Sequence, residues 1–195
     1  MSTSSAPEFY APDRASWRAW LAAHHDTEQA VWLVYDKDRP GAPRPLPYAA
    51  MVEEALCFGW VDSVPGVVSD TQAKLYVSRR KPQSAWSKAN KERIAALRTA
   101  GLMTPAGEQA VAVAQANGMW DHLEASDRFE MPSELVSQLA ANPAAQAFYD
   151  SMPPSSHRII LEWIYAAKTE ATKRKRIAET VASAAQGIKA HHYRQ

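Results

Sequence analysis

The spacing of apolar positions switches between helical and extended over the first half of the chain and turns uniformly helical in the second. In PDRASWRAWLAAHHD, Trp17, Trp20, Leu21 and His24 recur at helical spacing behind Asp13, which is placed to cap the first turn. QAVWLVYDK, at 29–37, is rich in β-branched and aromatic residues and predicts a strand. Prolines at 40, 43, 45 and 47 then exclude regular structure from the middle of DRPGAPRPLP, and Pro47 suits the first position of a following helix. Tyr48, Met51, Val52, Ala55 and Leu56 form a helical stripe that stops at Gly59. WVDSVPGVVSDTQAKLYVSRR predicts a β-hairpin with strands at about 60–68 and 73–79, turning near Asp70 and Thr71. Pro65 marks the first of these as an edge strand or a bulged one.

From Ser87 onward the pattern is helical. SKANKERIAALRTAG stops at Gly101, and TPAGEQAVAVAQANG runs from a Thr-Pro start to Gly118. Shorter helices are expected at about 132–141, 143–151, 155–168 and 170–186. The polar stretch DHLEASDRFEMPS, at 121–133, reads as an irregular seam. It separates an α/β body, residues 1–125 with its hairpin at 60–79, from a C-terminal helical unit, residues 126–195, expected to pack on it. The expected fold class is α+β: a small, mainly antiparallel sheet packed by helices, with a helical C-terminal half.

Composition narrows the function classes. With 195 residues, 46% apolar and 22% charged, the chain has the make-up of a soluble globular protein. A net charge of +1 makes any electropositive surface local. The single Cys57 excludes an internal disulfide framework and a multi-cysteine zinc site, and fits a reducing compartment. MSTSSAPEFYAPDR lacks the basic start and apolar run of a secretory signal, and IILEWIYAA is interrupted by Glu162 and too short to span a bilayer. A cytoplasmic protein without membrane insertion is expected.

Few stretches can carry chemistry. If Ser87 caps its helix, Trp86, Asn90, Ile94 and Leu97 fall on one side, so Asn90 must find polar partners. Either Asn90 or Ser84 ties down a neighbouring loop, or Asn90 and Ser87 line a polar pocket beside Trp86. Cys57 follows Glu53 and Glu54, carboxylates that oppose a thiolate, so it reads as a small packed residue and not as a nucleophile. With 68 paired to 73, Asp62 stands opposite Arg79, whereas a single-residue bulge at Pro65 sets it opposite Arg80. Glycine-rich phosphate loops and His-Glu-x-x-His are missing, and His24-His25 and His191-His192 lack a third ligand at useful spacing. No cofactor, no metal and no catalytic residue are therefore assigned. KTEATKRKRI, at 168–177, spreads its charges around a helix, which makes a solvated, partly bracing element and an improbable nucleic-acid reader.

Together ALCFGWVDS, RKPQSAWSKANKERIAALRTAGLMTPAG, Trp120 and AAKTEATKRKRI resemble the YdeI/OmpD-associated, or bacteriocin-protection, family. The resemblance is carried by Gly59, Trp60, Asp62, Arg80, Pro82, Ser84, Trp86, Ser87 and Asn90, then by Gly101, Met103 and Gly107, and last by Thr172, Arg176 and Ile177. Arg79 departs from the family's usual proline and changes the charge of the pocket rim. Ala171-Thr172-Lys173 replaces a Glu-Thr-Arg run. The resemblance implies tolerance of antimicrobial peptides and envelope stress. It implies no reaction, and its porin link is indirect for a chain without an export signal.

The resulting expectation is a non-enzymatic stress-protection protein. Its cleft, lined by Trp60, Asp62, Arg80, Ser84, Trp86, Ser87 and Asn90 and rimmed by the 38–47 loop, would bind a small anionic ligand or a peptide. Two alternatives stay open: an enzyme using the Asp, Arg, Ser and Asn groups of that cleft, and a nucleic-acid binder using the basic helix.

Overall fold

The computed structural model describes residues 6–39, 41 and 43–191. Two compact units divide between Asp121 and His122.

In the N-terminal unit four strands lie in the order β1-β2-β4-β3. Strand β1 (Glu8–Tyr10) runs parallel to β2 (Ala30–Asp36), and the pairs β2–β4 (Gln72–Arg79) and β4–β3 (Trp60–Val67) are antiparallel. Val31 and Leu33 on β2 and Leu75 and Val77 on β4 alternate into the core, as period two requires. Helix α1 (Arg14–His24) starts where Asp13 accepts the Ser16 N–H at 2.8 Å. It buries Trp17, whose Nε1 donates to the Met51 carbonyl of α2 (Tyr48–Cys57) at 3.0 Å. Pro47 occupies the cap position of α2, one residue earlier than expected, because its ψ of 150° is still extended.

Helix α2 is buried almost all round, Glu54 included, which is 1% exposed. Two arginines of α1 neutralise that carboxylate: Arg14 Nε lies 2.5 Å from Oε1 and Arg18 Nη1 lies 2.7 Å from Oε2. Cys57 is a packed residue, and burial pushes its thiol pKa up, against the lowering effect of Arg18.

The hairpin carries both devices that Pro65 suggests, since β3 is an edge strand and its pairing shifts between Asp62 and Pro65. Both expected registers need correction. Trp60 stands opposite Arg79 and Asp62 opposite Val77. The turn pairs Val67 with Ala73, and the extra residue sits on β3, which draws Asp62 away from the arginines.

Helix α3 (Lys88–Thr99) is capped by Ser87, whose hydroxyl accepts the Asn90 N–H at 3.3 Å. Helix α4 (Pro105–Ala116) is capped by Thr104. The Thr104 hydroxyl also donates to the Cys57 carbonyl at 2.6 Å, and its N–H reaches the same oxygen at 3.2 Å. One turn on, a Cβ at Gly107 would lie 2.3 Å from that carbonyl oxygen, so only glycine allows α4 to approach the end of α2 this closely.

The C-terminal unit contains α5 (Glu124–Asp127), α6 (Ser133–Ala140), α7 (Pro143–Ser151), α8 (Pro154–Tyr165) and α9 (Glu170–Ala185). They close around Leu135, Leu139, Leu161, Ile164 and Ile177. Helix α5 lies inside the stretch expected to be irregular, and at four residues it is too short to show a period. The basic run of α9 braces its own unit. Arg176 stacks on Trp163 at 5.2 Å and donates to its carbonyl, Lys173 lies 5.5 Å over Tyr165, and Arg174 is 3.9 Å from Glu134.

Candidate functional site

A cleft of about 320 Å³ opens in the N-terminal unit. Trp60, first residue of β3, and Trp86, just before α3, line it and are each 1% exposed, which makes them its floor. One wall is the apolar side of α4, with Ala106, Ala110 and Val113. Thr104 and Gly107 hold that wall against the Cys57 carbonyl, and Gly59, at φ 73°, turns the chain between α2 and β3. Another wall is the end of β4 with Arg79, Arg80 and Lys81. His25 and Asp26, which follow α1, complete the polar lining together with Gln109.

The arginine wall has unusual electrostatics. Arg80 extends the sheet pairing through its N–H to the Gly59 carbonyl at 3.0 Å. Its guanidinium carbon lies 3.9 Å from the centre of the Trp86 ring, and Nη2 donates to the Ala85 carbonyl. Its Nε and Nη1, and the Nε and Nη2 of Arg79, are buried without an acceptor. Burial lowers the Arg80 pKa to about 10, with the charge of Asp62 opposing the shift. At neutral pH the side chain stays a cation. Each unmet buried donor costs roughly 1–3 kcal/mol unless a partner arrives.

His25 Nδ1 lies 3.0 Å from the Leu21 carbonyl, which can only accept, so Nδ1 donates there. Asp26 is exposed at the rim and forms no hydrogen bond or ion pair with the described residues.

Of the residues singled out from the sequence, Trp60, Arg80 and Trp86 converge on the cleft. Asp62, Ser84, Ser87 and Asn90 are absent from its lining. Asp62 accepts the Tyr48 hydroxyl at 2.6 Å. Burial first, and then that bond, raise the Tyr48 pKa to about 12, so the phenol remains the donor. The Ser84 N–H closes a turn onto the Lys81 carbonyl at 2.9 Å. The Ser87 hydroxyl is engaged by its own helix, and Asn90 Oδ1 accepts Arg93 Nη1 at 3.0 Å. The 38–47 loop adds nothing to the lining among the described residues, and Pro40 and Ala42 lie outside them. Sequence reasoning had assigned no site role to His25, Asp26, Lys81, Gln109 and the α4 wall, and had placed Arg79 only at the rim. The run Arg79-Arg80-Lys81 closing an apolar strand was the one available signal.

Residues 9–110, which contain most of the cleft, match the family model of a domain of unknown function, DUF8412. Residues 128–187 match the model described as Bacteriocin-protection, YdeI or OmpD-Associated. The chain belongs to the DUF8412 family, and its C-terminal segment matches the YdeI/OmpD-associated family model. Of the residues that carried the resemblance, Gly59 to Gly107 fall under the DUF8412 match, and Thr172, Arg176 and Ile177 under the YdeI/OmpD-associated one. No curated protein and no solved structure matches the chain. Among the described residues, no helix is long and apolar enough to cross a membrane. Likewise, no three His, Cys, Asp or Glu residues among them are grouped to hold a metal ion.

Proposed function

We propose that this chain is a bacteriocin-protection-type binding protein whose N-terminal cleft captures a small anion. The observation that carries the reading is the Arg79–Arg80 pair, with four buried guanidinium nitrogens that have no acceptor and lie at a cleft lined by both residues. A guanidinium fork matches the geometry of a carboxylate or a phosphate, either of which would supply the acceptors these donors lack. Lys81 adds charge at the same wall. A reaction built on Asp62, Ser84, Ser87 and Asn90 is not proposed, since these groups do not meet at the cleft.

The test is a thermal-shift series with acetate, 3-phenylpropanoate and inorganic phosphate at constant ionic strength, on the native chain and on Arg79→Ala and Arg80→Ala. Anion-dependent stabilisation that falls in both variants is the expected result. An unchanged melting temperature with every anion, or a shift that both variants retain, would defeat the reading.

A further inference from the structure

We infer that the ligand of this cleft is a zwitterion, with one carboxylate and one ammonium group on a compact apolar body, as in an α-amino acid with an apolar side chain. This rests on the anion-binding reading above and adds the chemistry of the other end of the ligand. The cleft is polar in two opposite senses. The β4 end lines it with donors, in Arg79, Arg80 and Lys81, while the turn after α1 lines it with an acceptor, the Asp26 carboxylate. Neither set satisfies the other. Asp26 forms no ion pair with the three cations, and four guanidinium nitrogens stay without acceptors.

Each simpler ligand leaves one set unmet. A bare monoanion engages the arginines and leaves Asp26 without a partner. A polyphosphate meets the Asp26 charge and an apolar α4 wall, and a simple cation meets three positive side chains. A zwitterion answers both ends, and its apolar body lies against Ala106, Ala110 and Val113. The volume of about 320 Å³ suits a single amino acid or a dipeptide and not a longer chain.

The experiment is isothermal titration of the full chain with L-phenylalanine, 3-phenylpropanoate, which lacks the ammonium group, and 2-phenylethylamine, which lacks the carboxylate. Acetate and inorganic phosphate complete the probes. L-Phenylalanine is expected to bind about tenfold more tightly than 3-phenylpropanoate, the scale of one charge-assisted contact, and 2-phenylethylamine not at all. Asp26 is exposed, so Asp26→Asn leaves folding intact. It should remove the preference for L-phenylalanine over 3-phenylpropanoate, whose own affinity stays the same or rises as the neighbouring negative charge is lost. Equal affinity of the two in the native chain, or a preference that survives Asp26→Asn, overturns the zwitterion while anion binding stands. If none of the probes binds, both readings fall. Inorganic phosphate or acetate binding alone keeps the anion site and removes the amino-acid assignment.

Discussion

The N-terminal unit buries charge in two places, and the two are resolved in opposite ways. Around Glu54 the account closes internally: a carboxylate with 1% exposure has Arg14 on one oxygen and Arg18 on the other. At the end of β4 the signs are reversed and nothing closes. Arg79 and Arg80 sit side by side, Arg80 lies on the Trp86 ring, and four of their nitrogens lack an acceptor. The first cluster ties α1 to α2 and holds the scaffold. The second leaves donors unmet and borders a cleft. A buried ion pair is weak support for a fold relative to a well-packed apolar substitute, yet costly to break once present. Buried guanidinium nitrogens without an acceptor have no structural use of that kind, which is why they direct attention to an external partner.

Substitutions can break this contrast, and the largest effect belongs to the closed cluster. Glu54→Ala leaves two arginines facing an empty, low-dielectric site and should lower unfolding free energy by about 3 kcal/mol in urea denaturation. A loss near zero would mean that Arg14 and Arg18 simply turn to solvent and the cluster holds nothing. Gly107→Ala comes next. Its new Cβ collides with the Cys57 carbonyl, displaces α4 and should cost about 2 kcal/mol. It should also blunt the response to anions while leaving every charged group in place, which separates cleft shape from cleft charge. Arg80→Met reverses the usual sign. Replacing a buried, incompletely bonded cation by an apolar chain of similar length should change stability by about 1 kcal/mol or less, or raise it, while the anion response disappears. A large destabilisation would place Arg80 among the structural residues. The smallest effect is expected at the exposed pair of Arg98 and Glu108, 2.6 Å apart, where Glu108→Gln should cost about 0.5 kcal/mol or less and nothing in high salt.

Most elements were legible because their signals are local. Asp13, Ser87 and Thr104 each cap the helix that follows them, and Gly101 adopts a positive φ just past the end of α3. Strand β1 and helix α5, three and four residues long, were missed because neither spans enough chain to display a period. The hairpin register escaped for a related reason. Pro65 announces an irregularity, but which strand holds the extra residue depends on the turn, and that decides whether Asp62 meets an arginine or Val77.

The cleft divides along the same line. Trp60, Arg80 and Trp86 are chemically conspicuous and line it. Ser87 and Asn90 are equally conspicuous, yet their polar atoms are consumed within α3. Ala106, Ala110 and Val113 are ordinary helix residues, and their role comes only from where α4 docks. Asp26 and His25 stand far back in sequence, on a turn whose position depends on the packing of α1.

The junction of α2 and α4 has a consequence for recognition. With Thr104 bonded to the Cys57 carbonyl and no side chain between Gly107 and that oxygen, one face of the cleft is finished as soon as the chain has folded. The ligand proposed above would meet a surface already in shape. The entropy that a loop-built receptor surrenders on capture would be largely spared on that side, which favours even a ligand with few atoms.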